Sequence, residues 1–166
     1  MSAWHLGLFL LSAATLLFEI DLTRLFSVAQ FYHFAFMIIS LAMLGFGASG
    51  TALALFPQWG RRRPRRMLVI LSLALGVSAV GATVLTNVVP FDSFSIAWDR
   101  TQVAVLALHY VALALPFFCS GATVGLLFDL QPEAAPRLYA TNLAGSALGC
   151  LLALLVPGWV GGMGAV

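Results

Sequence analysis

The chain has 166 residues, 61% of them hydrophobic and only 8% charged, with a net charge of +2 and a mean hydropathy of +1.01. A soluble domain carries about a quarter charged residues. This chain lacks the polar side chains to cover a surface turned to water, so a free-standing soluble domain is excluded and lipid is its expected solvent. All 8 basic residues are arginine, and their distribution is more informative than their sum.

A membrane span needs about 20 apolar residues and must be helical, because lipid offers the backbone no hydrogen-bond partner. Five stretches qualify: residues 6–28, 34–56, 67–89, 102–127 and 138–156. The expected fold is therefore all-α, a polytopic transmembrane helical bundle forming a single integral membrane domain over residues 1–166. The connections, 29–33, 57–66, 90–101 and 128–137, are too short for a soluble insertion and make successive helices antiparallel. Pro57, Pro64, Pro90, Pro132 and Pro136 lie in or beside them, as helix-stop chemistry requires. Pro116 falls within the fourth span, where it should kink the helix or free a carbonyl.

Orientation follows from arginine. Arg61, Arg62, Arg63, Arg65 and Arg66 crowd the second connection, and Arg137 ends the fourth. The other side holds Arg100, with Arg24 close to it. Cytoplasmic loops collect positive charge, so the RRRPRR loop and the N-terminus are expected in the cytoplasm, with the chain multi-pass in the cell's inner (plasma) membrane. Trp4, Trp59, Trp98 and Trp159 fall at helix ends, where indole rings prefer to sit. RRRPRR reads as a topology signal that also attracts anionic lipid head groups. No nucleic-acid role is expected of it. The segment FDSFSIAWDR should lie along the interface with Asp92, Asp99 and Arg100 solvated. The last residues, GWVGGMGAV, stay apolar, which implies a truncated sixth span or a partner covering this end.

The polar focus is LSAATLLFEIDLTRLFS in the first span, with Glu19, Asp21 and Arg24. A charge near mid-bilayer costs about 2.5–3.5 kcal/mol on insertion scales and normally faces protein or a wet cavity. Asp21 and Arg24, three apart, fall on nearly one face and are expected to pair within the helix. Glu19 shares its stripe with Thr15 and Thr23 and should find a partner across the bundle. Its first reading is a carboxyl satisfied by Thr, Asn or Arg24. Its second is a proton or cation site formed with His109, which lies at a similar depth. His33 sits near the outer surface, so the two histidines do not match in depth for a haem.

Cys119 and Cys150, isolated in apolar runs, indicate neither a disulfide framework nor a metal site. No cofactor is expected. GFGASG at residues 45–50 matches GxGxxG, but no strand precedes it and no acidic residue follows to hold a ribose. Gly45, Ser49 and Gly50 instead form a small face for helix packing. Gly145 and Gly149 form a GxxxG continued by Ala153. Asn142 is suited to an interhelical hydrogen bond. No catalytic set is visible.

Four of these segments together resemble a known family. Glu19, Thr23-Arg24 and Ser27 are similar to the E-x-x-x-T-R-x-x-S opening of the membrane domain in membrane-embedded spermidine-synthase-like proteins. LGFGASG (44–50) resembles the small-residue end of that domain's second helix. LPFFCSGAT (115–123) resembles its proline-containing helix, with Gly125 where a proline usually follows. RLYATNLAGSALG (137–149) resembles its R-L-Y-x-x-N-x-x-G-x-x-x-G helix. The resemblance implies a bundle that continues into more helices and a cytosolic Rossmann-like domain of aminopropyltransferase or methyltransferase kind, binding an S-adenosylmethionine-type ligand. GGMGAV is not that domain's cofactor loop, so no enzymatic activity is carried over. What carries over is a membrane role for Glu19, Arg24, Tyr139 and Asn142.

The expected function is a non-enzymatic membrane module that packs with other membrane subunits or with a separately encoded catalytic domain. One alternative is a transport or ion-coupling module using Glu19 and His109. The other is the anchor of an aminopropyltransferase- or methyltransferase-like enzyme.

Overall fold

The computed structural model describes residues 3–29, 32–89 and 100–160. In chain order these form α1 (Ala3–Ala29), α2 (Tyr32–Leu55), the one-turn α3 (Gln58–Arg61), α4 (Pro64–Val88), α5 (Arg100–Leu130), a 3-10 turn (Pro132–Ala134) and α6 (Ala135–Val160). All but α3 and the turn are long and apolar enough to cross a membrane, and there is no strand among the described residues. Trp98, Asp92, Asp99 and the final GGMGAV lie outside the described residues.

Pro64 sits in the first turn of α4, where its missing N–H costs nothing. The helix of α5 runs through Pro116, which is buried. The connection around the arginines is not extended loop. It folds into α3, and Arg61 clasps the end of α5: Nε donates to Asp129 Oδ2 at 2.9 Å and Nη2 to Oδ1 at 2.6 Å. Both side chains are exposed, so the fork gives direction to the loop and adds little to stability.

The helices group into two parallel pairs. α6 lies along α1: Gly145 faces the Phe9 backbone and Gly149 the Ala13 backbone, so the residue numbers rise together. α5 lies along α2 in the same sense. Gly45 faces Phe117, Ser49 faces Gly121, and Leu53 faces Gly125. The pairs meet where α1 packs on α2, and α4 rests on α5 at the edge.

The interior is layered. Near the arginine end, Leu8, Leu68, Leu126 and Leu138 belong to one apolar cluster. Toward the other end, Leu22, Ile38, Leu41, Leu113 and Phe117 form a second. The Phe117 ring lies 5.9 Å from that of Phe18 and 6.2 Å from that of Phe46. Between the clusters several buried side chains are polar: Ser12, Thr15, Ser49, Ser120 and Thr123.

The glycines are not equivalent. A Cβ at Gly149 would fall on the Ala13 carbonyl oxygen, and one at Gly145 on that of Phe9. At Gly45 it would meet Phe117 Cβ at 2.7 Å. Gly50, expected to share this packing role, has nothing within 4 Å of its Cβ position. Ser49, one residue earlier, is the one turned to α5, so the seam of α2 is Gly45–Ser49 and Gly50 stands on open surface. Gly149→Val should therefore lower stability by about 1–3 kcal/mol, the usual cost of overpacking. Gly50→Ala should be neutral or stabilise by a few tenths, since alanine is the better helix former. Reversible unfolding in mixed detergent micelles measures both.

A polar cleft between the helix pairs

The polar layer opens into a cleft of about 320 Å³ bounded by α1, α2, α5 and α6. It exists because α2 and α6 each pack on another helix and not substantially on one another. Ser12, Thr15, Ser49, Ser120, Asn142 and Ser146 line it, with Gly121 and Gly125 on the α5 wall and Gly50 on that of α2.

Its hydroxyls bond in order. Thr15 Oγ1 donates to the Leu11 carbonyl at 2.8 Å and lies 2.8 Å from Ser120 Oγ. Thr15 has one proton, so Ser120 is the donor in that pair. Ser12 Oγ is 2.8 Å from the Leu8 carbonyl oxygen and 2.7 Å from the Asn142 side-chain amide. Ser12 also has one proton. Both contacts are satisfied when it donates to Leu8 and the amide presents its nitrogen. Ser49 Oγ is turned back to the Phe46 carbonyl at 2.7 Å. One end of the Asn142 amide is left without a partner among the described residues.

Glu19 stands on the same stripe of α1 as Ser12 and Thr15, one turn and about 6 Å beyond Thr15. It is partly exposed. Among the described residues its carboxylate has neither a hydrogen bond nor an ion pair, and nothing links it to His109. His109 is buried in α5, with Nδ1 2.8 Å from the Val105 carbonyl oxygen.

Asp21 and Arg24 attract one another through space, but among the described residues they make neither the expected ion pair nor a hydrogen bond. Asp21 is 4% exposed, and its Oδ2 has no hydrogen-bond partner. The Arg24 guanidinium goes elsewhere, donating through Nη1 to the Ala153 carbonyl of α6. The cause lies four residues on. A helical carbonyl accepts from the N–H at i+4, and for Ala153 that residue is Pro157, which has none. The freed oxygen takes the strongest donor within reach, and a bond to a charged donor is worth about 1.5–3 kcal/mol. Of the loop arginines, Arg61 is held by Asp129. Arg62, Arg63, Arg65 and Arg66 are exposed, and Tyr139 is exposed on α6.

Sequence reasoning missed the α5 side of the site. Ser120, Gly121 and Gly125 carried the same signal as Gly145 and Gly149, a small residue every fourth position, but the proline four residues before Ser120 drew attention instead. No family model, no curated protein and no solved structure matches this chain.

The Arg24 bond predicts a coupling. Arg24→Gln should cost about 1–2 kcal/mol in an otherwise unchanged chain. Pro157→Ala restores the missing N–H, and in that background the same change should cost well under half as much. A double-mutant cycle read by unfolding in micelles measures the difference, and simple additivity would show that the proline is irrelevant to the bond.

Proposed function

We propose that this chain is a non-catalytic module of an integral membrane complex, and that its cleft between α2 and α6 receives a transmembrane helix of a partner protein. The observation that carries this is the mixture of groups around one opening. A glycine wall, the open Gly50 surface and a half-satisfied amide meet there, and the unpartnered Glu19 stands one helical turn beyond on α1. Apolar burial does not drive helix association in lipid. Close approach over small residues and interhelical hydrogen bonds do. A lipid tail would satisfy neither the amide nor the carboxylate, whereas a helix bearing small residues and a hydrogen-bonding side chain would satisfy both.

The four motifs similar to spermidine-synthase-like membrane domains support a partner of one further kind, a separately encoded catalytic domain or the rest of such an enzyme. The arginine asymmetry supports a cytoplasmic N-terminus in the plasma membrane. The module itself performs no chemistry in this reading.

A benzophenone side chain placed at Gly50 in native membranes should crosslink to one defined protein, whereas the same probe at Val77, on the lipid-facing side of α4, should not. Ser146→Leu, which fills the cleft, should cut that adduct about tenfold, equivalent to about 1.4 kcal/mol. A chain that gives no adduct and runs as a lone monomer in mild detergent would overturn the reading.

One observation favours a second reading, ion or proton coupling. An acidic side chain with no partner, one helical turn from a polar intramembrane cleft, suits a site on an ion or proton path. Proton or cation flux into proteoliposomes should then fall at least tenfold in Glu19→Gln. Equal flux in the two proteins rejects it.

A further inference from the structure

A second opening lies across the bundle, and its chemistry is different. Between α1 and α4 runs a groove of about 600 Å³. It arises because those two helices each pack on α5 and not substantially on one another. Leu8 and Leu11 form one wall, Leu68 and Leu75 the other, and Leu127 the floor. From Leu68 to Leu75 the wall extends about 10 Å along the helix axis. The groove is therefore a slot running from one membrane face toward the middle. Its mouth is at the arginine end, beside Trp4.

We propose that this slot holds one acyl chain of an anionic phospholipid, with the phosphate head group bound by Arg65. The argument rests on charge at the mouth. Arg61 is neutralised by Asp129. Arg62 reaches no closer than 3.5 Å to the Gln58 side chain. Arg63, Arg65 and Arg66 are exposed and meet no carboxylate. Arg65 is four residues before Val69 and seven before Ser72, which both line the slot, so it shares their face of α4. An apolar slot with an unneutralised cation at its entrance complements a lipid with one tail in the slot and net negative charge at the head. A zwitterionic lipid brings its own cation to the same place and gains less.

The test uses the whole chain purified in mild detergent, given equal amounts of phosphatidylglycerol and phosphatidylcholine, with bound lipid counted by native mass spectrometry. The wild-type chain should retain phosphatidylglycerol in preference. Arg65→Gln should reduce that preference about fivefold, the weight of one arginine at an anionic surface. Arg100→Gln at the opposite end should leave it unchanged. Ser72→Trp, on the exposed lip, should displace both lipids, and Val69→Trp provides the same block by a second route. Three results would overturn the proposal. The preference could survive Arg65→Gln, or phosphatidylglycerol could stay bound in both tryptophan variants. A cysteine at Val69 could also crosslink in membranes to a second copy or another protein, giving the slot a protein occupant.

Discussion

The bundle depends on backbones that touch where side chains are missing. In lipid a leucine gains nothing by leaving the tails for a neighbouring helix, so cohesion must come from the fit of the surfaces and from hydrogen bonds. Gly145 and Gly149 let α6 lie against the Phe9 and Ala13 carbonyls of α1. Gly45 and Gly121 do the same for α2 and α5. Each seam brings polar backbone and short hydroxyl side chains into reach of one another. The buried polar layer of Ser12, Thr15, Ser49 and Ser120 lies at the depth of these seams, with apolar clusters above and below.

The same logic distributes the charged groups. A carbonyl without its helical donor is costly in hydrocarbon, and so is an unpaired guanidinium. The structure joins the two, Arg24 to Ala153, and each removes the other's penalty. Asp21 is left with a through-space attraction to Arg24, and its buried Oδ2 has no hydrogen-bond partner. Local proximity along a helix gave Asp21 a claim on Arg24 worth a few tenths of a kcal/mol. The vacancy created by Pro157 outweighs it.

The helices were legible because a run of apolar residues in lipid has no alternative to α-helix. Gly145 and Gly149 were legible because their spacing leaves no other purpose. Gly50 was misread because Gly45, Ser49 and Gly50 occupy neighbouring faces, and spacing alone does not say which of them meets a helix. The Arg24 bond was beyond reach from sequence, since its two ends are 129 positions apart. The cleft was hidden for a similar reason. Short connections fix which helices are antiparallel neighbours. They do not reveal that α1 takes α6 and α2 takes α5 as parallel companions, and the gap between those companions is the site.

The parallel pairing also orders the chain in time. During synthesis α1 enters the membrane long before α6 exists. Throughout that interval the Ser12 hydroxyl lacks the Asn142 amide and the Arg24 guanidinium has no α6 carbonyl to cap. Only the arrival of α6 gives that charge its backbone acceptor, so a helix made late completes one made early.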